Sequence, residues 1–134
     1  MGHSFRELLV WQRAMQLTLA VYQLTQGFPR EEQFGLASQL RRAAVSTPSN
    51  IAEGQGRLSM GEFRQFLAVA RGSTCELQTQ LEIARALKLG NPASIEEAEA
   101  LSQEVRKMLF GMLNSLDIRK KQASKQPPRL KTQN

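Results

Sequence analysis

Five polar side chains, Gln39, Arg42, Ser46, Asn50 and Glu53, recur every three or four residues. At helical pitch they form one line, opposite an apolar face that carries Leu36, Ala37, Leu40, Ala44, Thr47 and Ile51. A row of amide, guanidinium, hydroxyl and carboxylate groups supports two kinds of chemistry. The groups can satisfy one another as an internal hydrogen-bonded network, or as a polar seam that sets the register between subunits. Alternatively, they can present donors and acceptors to a ligand or a nucleic acid. If the helix continues past Gly54, Arg57 extends the line and meets Glu53 at i,i+4.

Two further constellations are cationic. Arg57, Arg64 and Arg71 are spaced by seven and are followed by Gln78 and Arg85. Beside an apolar seam, arginines at this spacing make inter-helix ion pairs, and Glu76, Glu82, Glu99 and Glu104 are candidate partners. The alternative is a basic stripe that tracks phosphates. The other constellation is the C-terminal stretch 119–134, where Arg119, Lys120, Lys121, Lys125, Arg129 and Lys131 stand without a single acid. The chain's net charge of +6 is accounted for by this stretch alone, because acids and bases balance over residues 1–118. Six uncompensated cations attract any polyanion in a salt-dependent way, but no aromatic lies among them for base stacking.

Catalytic chemistry has little to work with. His3 is the only histidine and Cys75 the only cysteine, so there is no intrachain disulfide, no ordinary zinc set and no spaced Cys–His pair. The adjacent Glu96 and Glu97 diverge on a helix, and the Glu-x-x-His motif of di-metal bundles is absent. Gly54-Gln55-Gly56 follows no strand signal, so it is neither a P-loop nor a dinucleotide fingerprint. The expectation is a non-enzyme without cofactor or metal. Hydrophobic residues make up 41% and charged residues 22% of the chain, as in one soluble globular domain. No apolar run approaches the ~18–20 residues of a membrane span, and no basic and apolar leader opens the chain. Met1-Gly2 is not a myristoylation motif, because Arg6 stands where Ser or Thr is needed. These features predict a cytoplasmic protein with no membrane partner.

The elements that must position these residues are helices. Ser4 and Glu7 fit a capping box for a first helix over about Phe5–Gln26. Val10, Ala14, Leu17, Val21, Leu24 and Phe28 form its seam, and Trp11, Met15 and Tyr22 lie on an adjacent face. The resulting apolar arc exceeds about 150°, wider than the ~100° stripe of a one-sided helix, so Trp11, Met15 and Tyr22 are a candidate oligomer interface. Pro29 opens a second helix, which Pro48 should bend by removing the hydrogen bond to the Ala44 carbonyl. Ser46, Thr47 and Ser49 are the neighbours expected to satisfy freed groups, and Gly54 and Gly56 end the helix.

Ser59 and Glu62 cap a long third helix with the heptad seam Phe63, Leu67, Ala70, Thr74, Leu77, Leu81 and Ala84. Gly72-Ser73 in its middle suggests a close backbone approach. Gly90-Asn91-Pro92 stops this helix, and Ser94 starts a fourth with the seam Ala98, Leu101, Val105, Met108, Met112 and Leu116, supported by Leu109 and Leu113. The prediction is all-α: an antiparallel up-down four-helix bundle over residues 1–118, with a proline-bent second helix, assembling as a ring-like oligomer. Residues 119–134 are expected to form a disordered basic tail.

Several segments carry a family likeness: Leu9-Val10-Trp11-Gln12-Arg13-Ala14, Val21-Tyr22, Phe28-Pro29, Gln39 to Ser46, Pro48 to Gly54, Ala70-Arg71-Gly72-Ser73 and Glu76-Leu77. In that order they resemble the bacterial four-helix-bundle proteins encoded within intervening sequences of 23S ribosomal RNA genes. That family is related to the accessory variability determinant proteins of diversity-generating retroelements. The resemblance covers about residues 5–116. It implies a small cytosolic bundle that assembles as a ring-like homopentamer, in a family with no established enzymatic activity. Its retroelement branch further implies contact with nucleic acid and with a reverse transcriptase. The functional expectation is therefore an RNA- or DNA-associated oligomer, with Arg57, Arg64, Arg71, Arg85, Arg119, Lys120, Lys121 and Lys125 as candidate contacts. The alternative is a protein-interaction scaffold or accessory subunit of a nucleic-acid enzyme.

Overall fold

A computed structural model describes residues 4–125. Within them the chain forms four α-helices, α1 (Leu9–Gln26), α2 (Leu36–Gln55), α3 (Met60–Ala86) and α4 (Pro92–Lys125). Two single-turn 3-10 helices, Phe5–Glu7 and Arg30–Glu32, complete the described residues, which include no strand. Helices α1 and α3 each pack against both α2 and α4, so the α3–α4 seam lies across the molecule from the α1–α2 seam. Thr18 meets Ala44 and Thr25 meets Arg41, while Arg64 meets Asp117 and Arg85 meets Glu99. Along each of these seams residue numbers rise on one helix as they fall on its neighbour.

The core follows the apolar periodicity closely. All six seam residues from Val10 to Phe28 are buried, as are Leu67, Ala70, Thr74, Leu77, Leu81 and Ala84 of α3. In α4 the buried line runs through Ala98, Val105, Leu109, Leu113 and Leu116, while Met108 and Met112 are only partly covered. Both spacings are helical, and the supporting leucines are covered more completely than the methionines.

Helix ends depart further from expectation. The Ser4–Glu7 capping box forms, but it caps only the single turn Phe5–Glu7; Leu8 is extended and α1 begins at Leu9. After Pro29 the chain makes one 3-10 turn, and α2 starts only at Leu36. This loop is held by Gln33, whose amide donates to the carbonyls of Thr25 and Phe28 at 3.1 Å. Arg41 reaches back to the same place, donating to the Thr25 hydroxyl at 2.8 Å and to the Gln33 side chain at 3.2 Å. Helix α4 begins at Pro92, before Ser94: the Asn91 carboxamide oxygen accepts from the Ala93 amide at 2.8 Å, and proline suits the first helical position. Gly90 holds φ +71°, and a Cβ there would come within 2.7 Å of Leu24 and 2.9 Å of Phe28. Helix α4 continues to Lys125, so residues 119–125 are helical where irregular chain was expected; residues 126–134 of the expected tail lie outside the described residues.

Pro48 stands inside α2 and is buried. Its missing N–H leaves the Ala44 carbonyl without a helical donor. The replacement comes from another helix rather than from Ser46, Thr47 or Ser49. The buried Thr18 hydroxyl of α1 lies 3.0 Å from the Ala44 carbonyl and 2.9 Å from its own Ala14 carbonyl, so one proton serves two acceptors. Farther along α2, Gly54 is buried against α3, and a Cβ there would lie 2.9 Å from Phe66 Cβ and 3.1 Å from Phe63. Gly72, by contrast, has open space around it among the described residues.

Thr18→Val keeps the shape of the side chain and removes the donor. It should destabilise the protein by about 1–2 kcal/mol in urea unfolding. In a Pro48→Ala background, where an N–H again reaches Ala44, the same change should cost less than half as much. Equal costs in both backgrounds would break the link between Thr18 and Pro48. Gly54→Ala should cost about 1–3 kcal/mol through overpacking at Phe66.

Candidate functional site

The polar line of α2 splits into two halves. Ser46 and Asn50 are half-buried and bonded to each other within α2: the Asn50 amide donates to the Ser46 carbonyl at 2.8 Å and to its hydroxyl at 3.0 Å. The Ser46 hydroxyl pairs with that of Ser73 at 2.8 Å. Gln39 and Arg42 are exposed and line a polar recess with Ser46, Ser73 and Glu76. At the end of the line Glu53 accepts from Arg57 at 2.8 Å, the i,i+4 pair anticipated from the spacing. The middle of the line is therefore engaged within α2 and, through Ser46, with α3, while its ends are exposed.

The arginines at seven-residue spacing are mostly engaged within the chain. Arg57 holds Glu53 and covers the Phe66 ring at 4.8 Å. Arg64 grips Asp117 with two hydrogen bonds of 2.6 and 3.1 Å. That contact holds the Asp117 carboxyl below its ordinary range, with smaller help from Lys120 and Lys121, and raises the Arg64 guanidinium. Arg85 donates to Glu99 at 2.6 Å and lies 3.9 Å from Glu82; the Glu99 bond is the main cause of its raised pKa. Of the four glutamates expected as partners, Glu99 and Glu82 serve Arg85, whereas Glu104 pairs with Arg13 of α1 at 2.9 Å. Asp117, absent from the expected partners, takes the place opposite Arg64. Extending the seven-residue register of α3 onto an antiparallel α4 would have found it.

Arg71 is the exception. It makes no ion pair among the described residues, its Nε is buried without a partner, and its guanidinium sits 5.7 Å from the centre of the Phe110 ring. Arg106 of α4 is in the same state, with a buried and unpartnered Nε. Phe110, Arg106 and the neighbouring Lys107 were absent from the sequence-based candidates, because they belong to no apolar seam and to no run of like charge. Arg119, Lys120 and Lys121 are exposed on the last turns of α4, beyond its final acid, Asp117; Lys125 is the last helical residue.

The expected second face of α1 is real in composition but uneven in exposure. Trp11 is half-buried, edge-on to Phe5 at 5.2 Å, and packs against the core; Met15 is half-buried. Tyr22 is 41% exposed, with the Arg41 guanidinium 5.3 Å above its ring. Leu19, at 64% exposed, adds to this face and was missed. Among the described residues, no group of three or more His, Cys, Asp or Glu side chains could hold a metal ion, and no helix is long and apolar enough to cross a membrane.

The Arg64–Asp117 pair predicts an acid-labile contribution. Because the folded carboxyl titrates below its ordinary value of 3.8, the stabilisation is present above that value and is lost as pH falls through the lower, folded one. Asp117→Asn should lower the thermal midpoint at neutral pH. The two proteins should converge when titrated well below pH 3.8; a constant gap would refute the pairing.

Similarity to known proteins agrees with this architecture. A crystal structure of a protein of unknown function from the S23 ribosomal protein family of Bacteroides thetaiotaomicron is 20% identical to this chain. It superimposes with a TM-score of 0.73, covering 78% of this chain and 98% of its own. At that identity the likeness shows the fold alone. No curated protein matches the sequence significantly. The family described as 23S rRNA-intervening sequence protein matches residues 6–111, which span the first three helices and more than half of α4. The chain belongs to the 23S rRNA-intervening sequence protein family.

Proposed function

We propose that this protein is a non-enzymatic, cytoplasmic, up-down four-helix bundle that assembles as a ring and associates electrostatically with nucleic acid. Five subunits is the number implied by the family resemblance. The observation that carries the nucleic-acid reading is the C-terminal end of α4. After Asp117 the chain has no acid, and Arg119, Lys120, Lys121 and Lys125 fall on consecutive helical turns. In a ring this cationic end repeats once per subunit, which multiplies a weak contact by effective concentration. Arg57, Arg64 and Arg85 contribute less, because their charge is already met within the chain.

Assembly is supported by the exposed Leu19 and Tyr22 beside Trp11 and Met15. Tyr22→Glu leaves the core untouched and should reduce the mass seen by light scattering; a wild-type protein that scatters as a monomer would refute the ring. For nucleic acid, binding to a structured RNA should fall steeply with salt. Removing residues 119–134 should shrink that slope, by about 0.7–0.9 for each phosphate that is no longer neutralised. Absence of binding at low salt by the full-length protein would overturn this function.

A second reading, a scaffold or accessory subunit for a nucleic-acid enzyme such as a reverse transcriptase, has one observation in its favour. Leu9, Val10, Phe63, Met108, Met112 and Leu116 line an open apolar groove of about 480 Å³ between α1 and α4. Methionine-rich grooves adapt to partner helices. A defined protein partner recovered after nuclease treatment would favour this reading, and its disappearance with nuclease would count against it.

A further inference from the structure

The α3–α4 seam has neutral ends and a cationic middle. Arg64–Asp117 closes one end and Arg85–Glu99 the other. Between them α4 has no acid from Val105 to Leu116, and α3 none from Phe63 to Cys75. Within that acid-free stretch stand Arg71 on α3 and Arg106 and Lys107 on α4. Neither arginine has an ion pair among the described residues, and each has a buried Nε without a partner. Phe110 lies one helical turn beyond Arg106, three residues beyond Lys107, and beside the Arg71 guanidinium at 5.7 Å. It is 57% exposed, although its neighbour Leu109 is fully buried in the core.

An exposed aromatic ring among three uncompensated cations matches the chemistry of one unpaired nucleotide. The ring offers its face to a base, and the cations take the flanking phosphates. A duplex keeps its base faces stacked inside and cannot use the ring, whereas a single strand can. We propose that Phe110, Arg71, Arg106 and Lys107 form a stacking site for an unpaired base of single-stranded nucleic acid. This rests on the nucleic-acid reading above and adds to it a strand state and a place. The site lies across the molecule from the α1–α2 side that carries Tyr22, so it stays open if that side is covered by a second subunit.

Fluorescence anisotropy with the full chain tests this, using short oligo(dT) and oligo(rU), each alone and paired with its complement. Single strands should bind more tightly than the duplexes, and the two sugars separate DNA from RNA. Phe110→Ala should weaken single-strand binding about tenfold and leave duplex binding unchanged, with the same unfolding midpoint because the ring is exposed. Phe110→Trp in a Trp11→Phe background should retain affinity, and its emission should be quenched by the strand. Replacing Arg71 and Arg106 together by Gln should weaken both forms and flatten the salt dependence. If wild type binds but Phe110→Ala binds single strands equally well, the stacking site is refuted while the electrostatic function stands. If wild type binds neither form at low salt, both fall together.

Discussion

A single unsatisfied carbonyl organises the pairing of the first two helices. Pro48 cannot donate to Ala44, and the site is buried, so no solvent can answer in its place. Thr18 answers from α1, which ties the position of one helix to an irregularity in the next. The contact is directional, unlike the leucine packing around it, and therefore sets how α1 slides along α2. Gly54 acts at the other end of α2 by letting Phe63 and Phe66 of α3 approach its backbone. Thr18 and Gly54 thus hold α2 between α1 and α3, and the half-buried pair Ser46–Ser73 adds a polar contact midway along that second seam.

Charge is distributed by the same packing. The arginines at heptad spacing look equivalent in one dimension, yet they divide into two kinds once α4 is laid beside them. Those opposite an acid become structural, as Arg64 and Arg85 do. Arg71, opposite Phe110, stays uncompensated and is joined by Arg106 from the facing helix. The body of the chain is neutral on balance, but neutrality of the sum does not mean neutrality everywhere. Local excess survives in the middle of the α3–α4 seam and at the exposed end of α4, and these are the surfaces where a polyanion gains most.

Much of the fold was legible because helical periodicity is a local property. The backbone repeats every 3.6 residues whatever surrounds it, so Val10 to Phe28 and Leu67 to Ala84 announce their buried faces directly. The candidate site was less legible. The Glu53–Arg57 pair follows from spacing on one helix, and it forms. Asp117, Arg106 and Phe110 acquire meaning only from residues far away in the chain, on the facing helix, and nothing in their own neighbourhoods marks them.

The sequence alone therefore determined the helical class, the buried faces, the polar line of α2, the placement of net charge near the C-terminus and the family. Tertiary structure decided where α2 begins, since its start at Leu36 follows a loop that Gln33 and Arg41 hold against the end of α1. It decided how completely each apolar residue of α4 is covered, which glycine is crowded and which is open, and which arginines are neutralised. The division has one physical cause. Periodicity, capping and charge totals are written within a few residues of chain, whereas the partner of a side chain across a seam depends on the register of two helices. That register is set by the sum of all contacts along them, here by Thr18 against Ala44 and by Gly54 against Phe66.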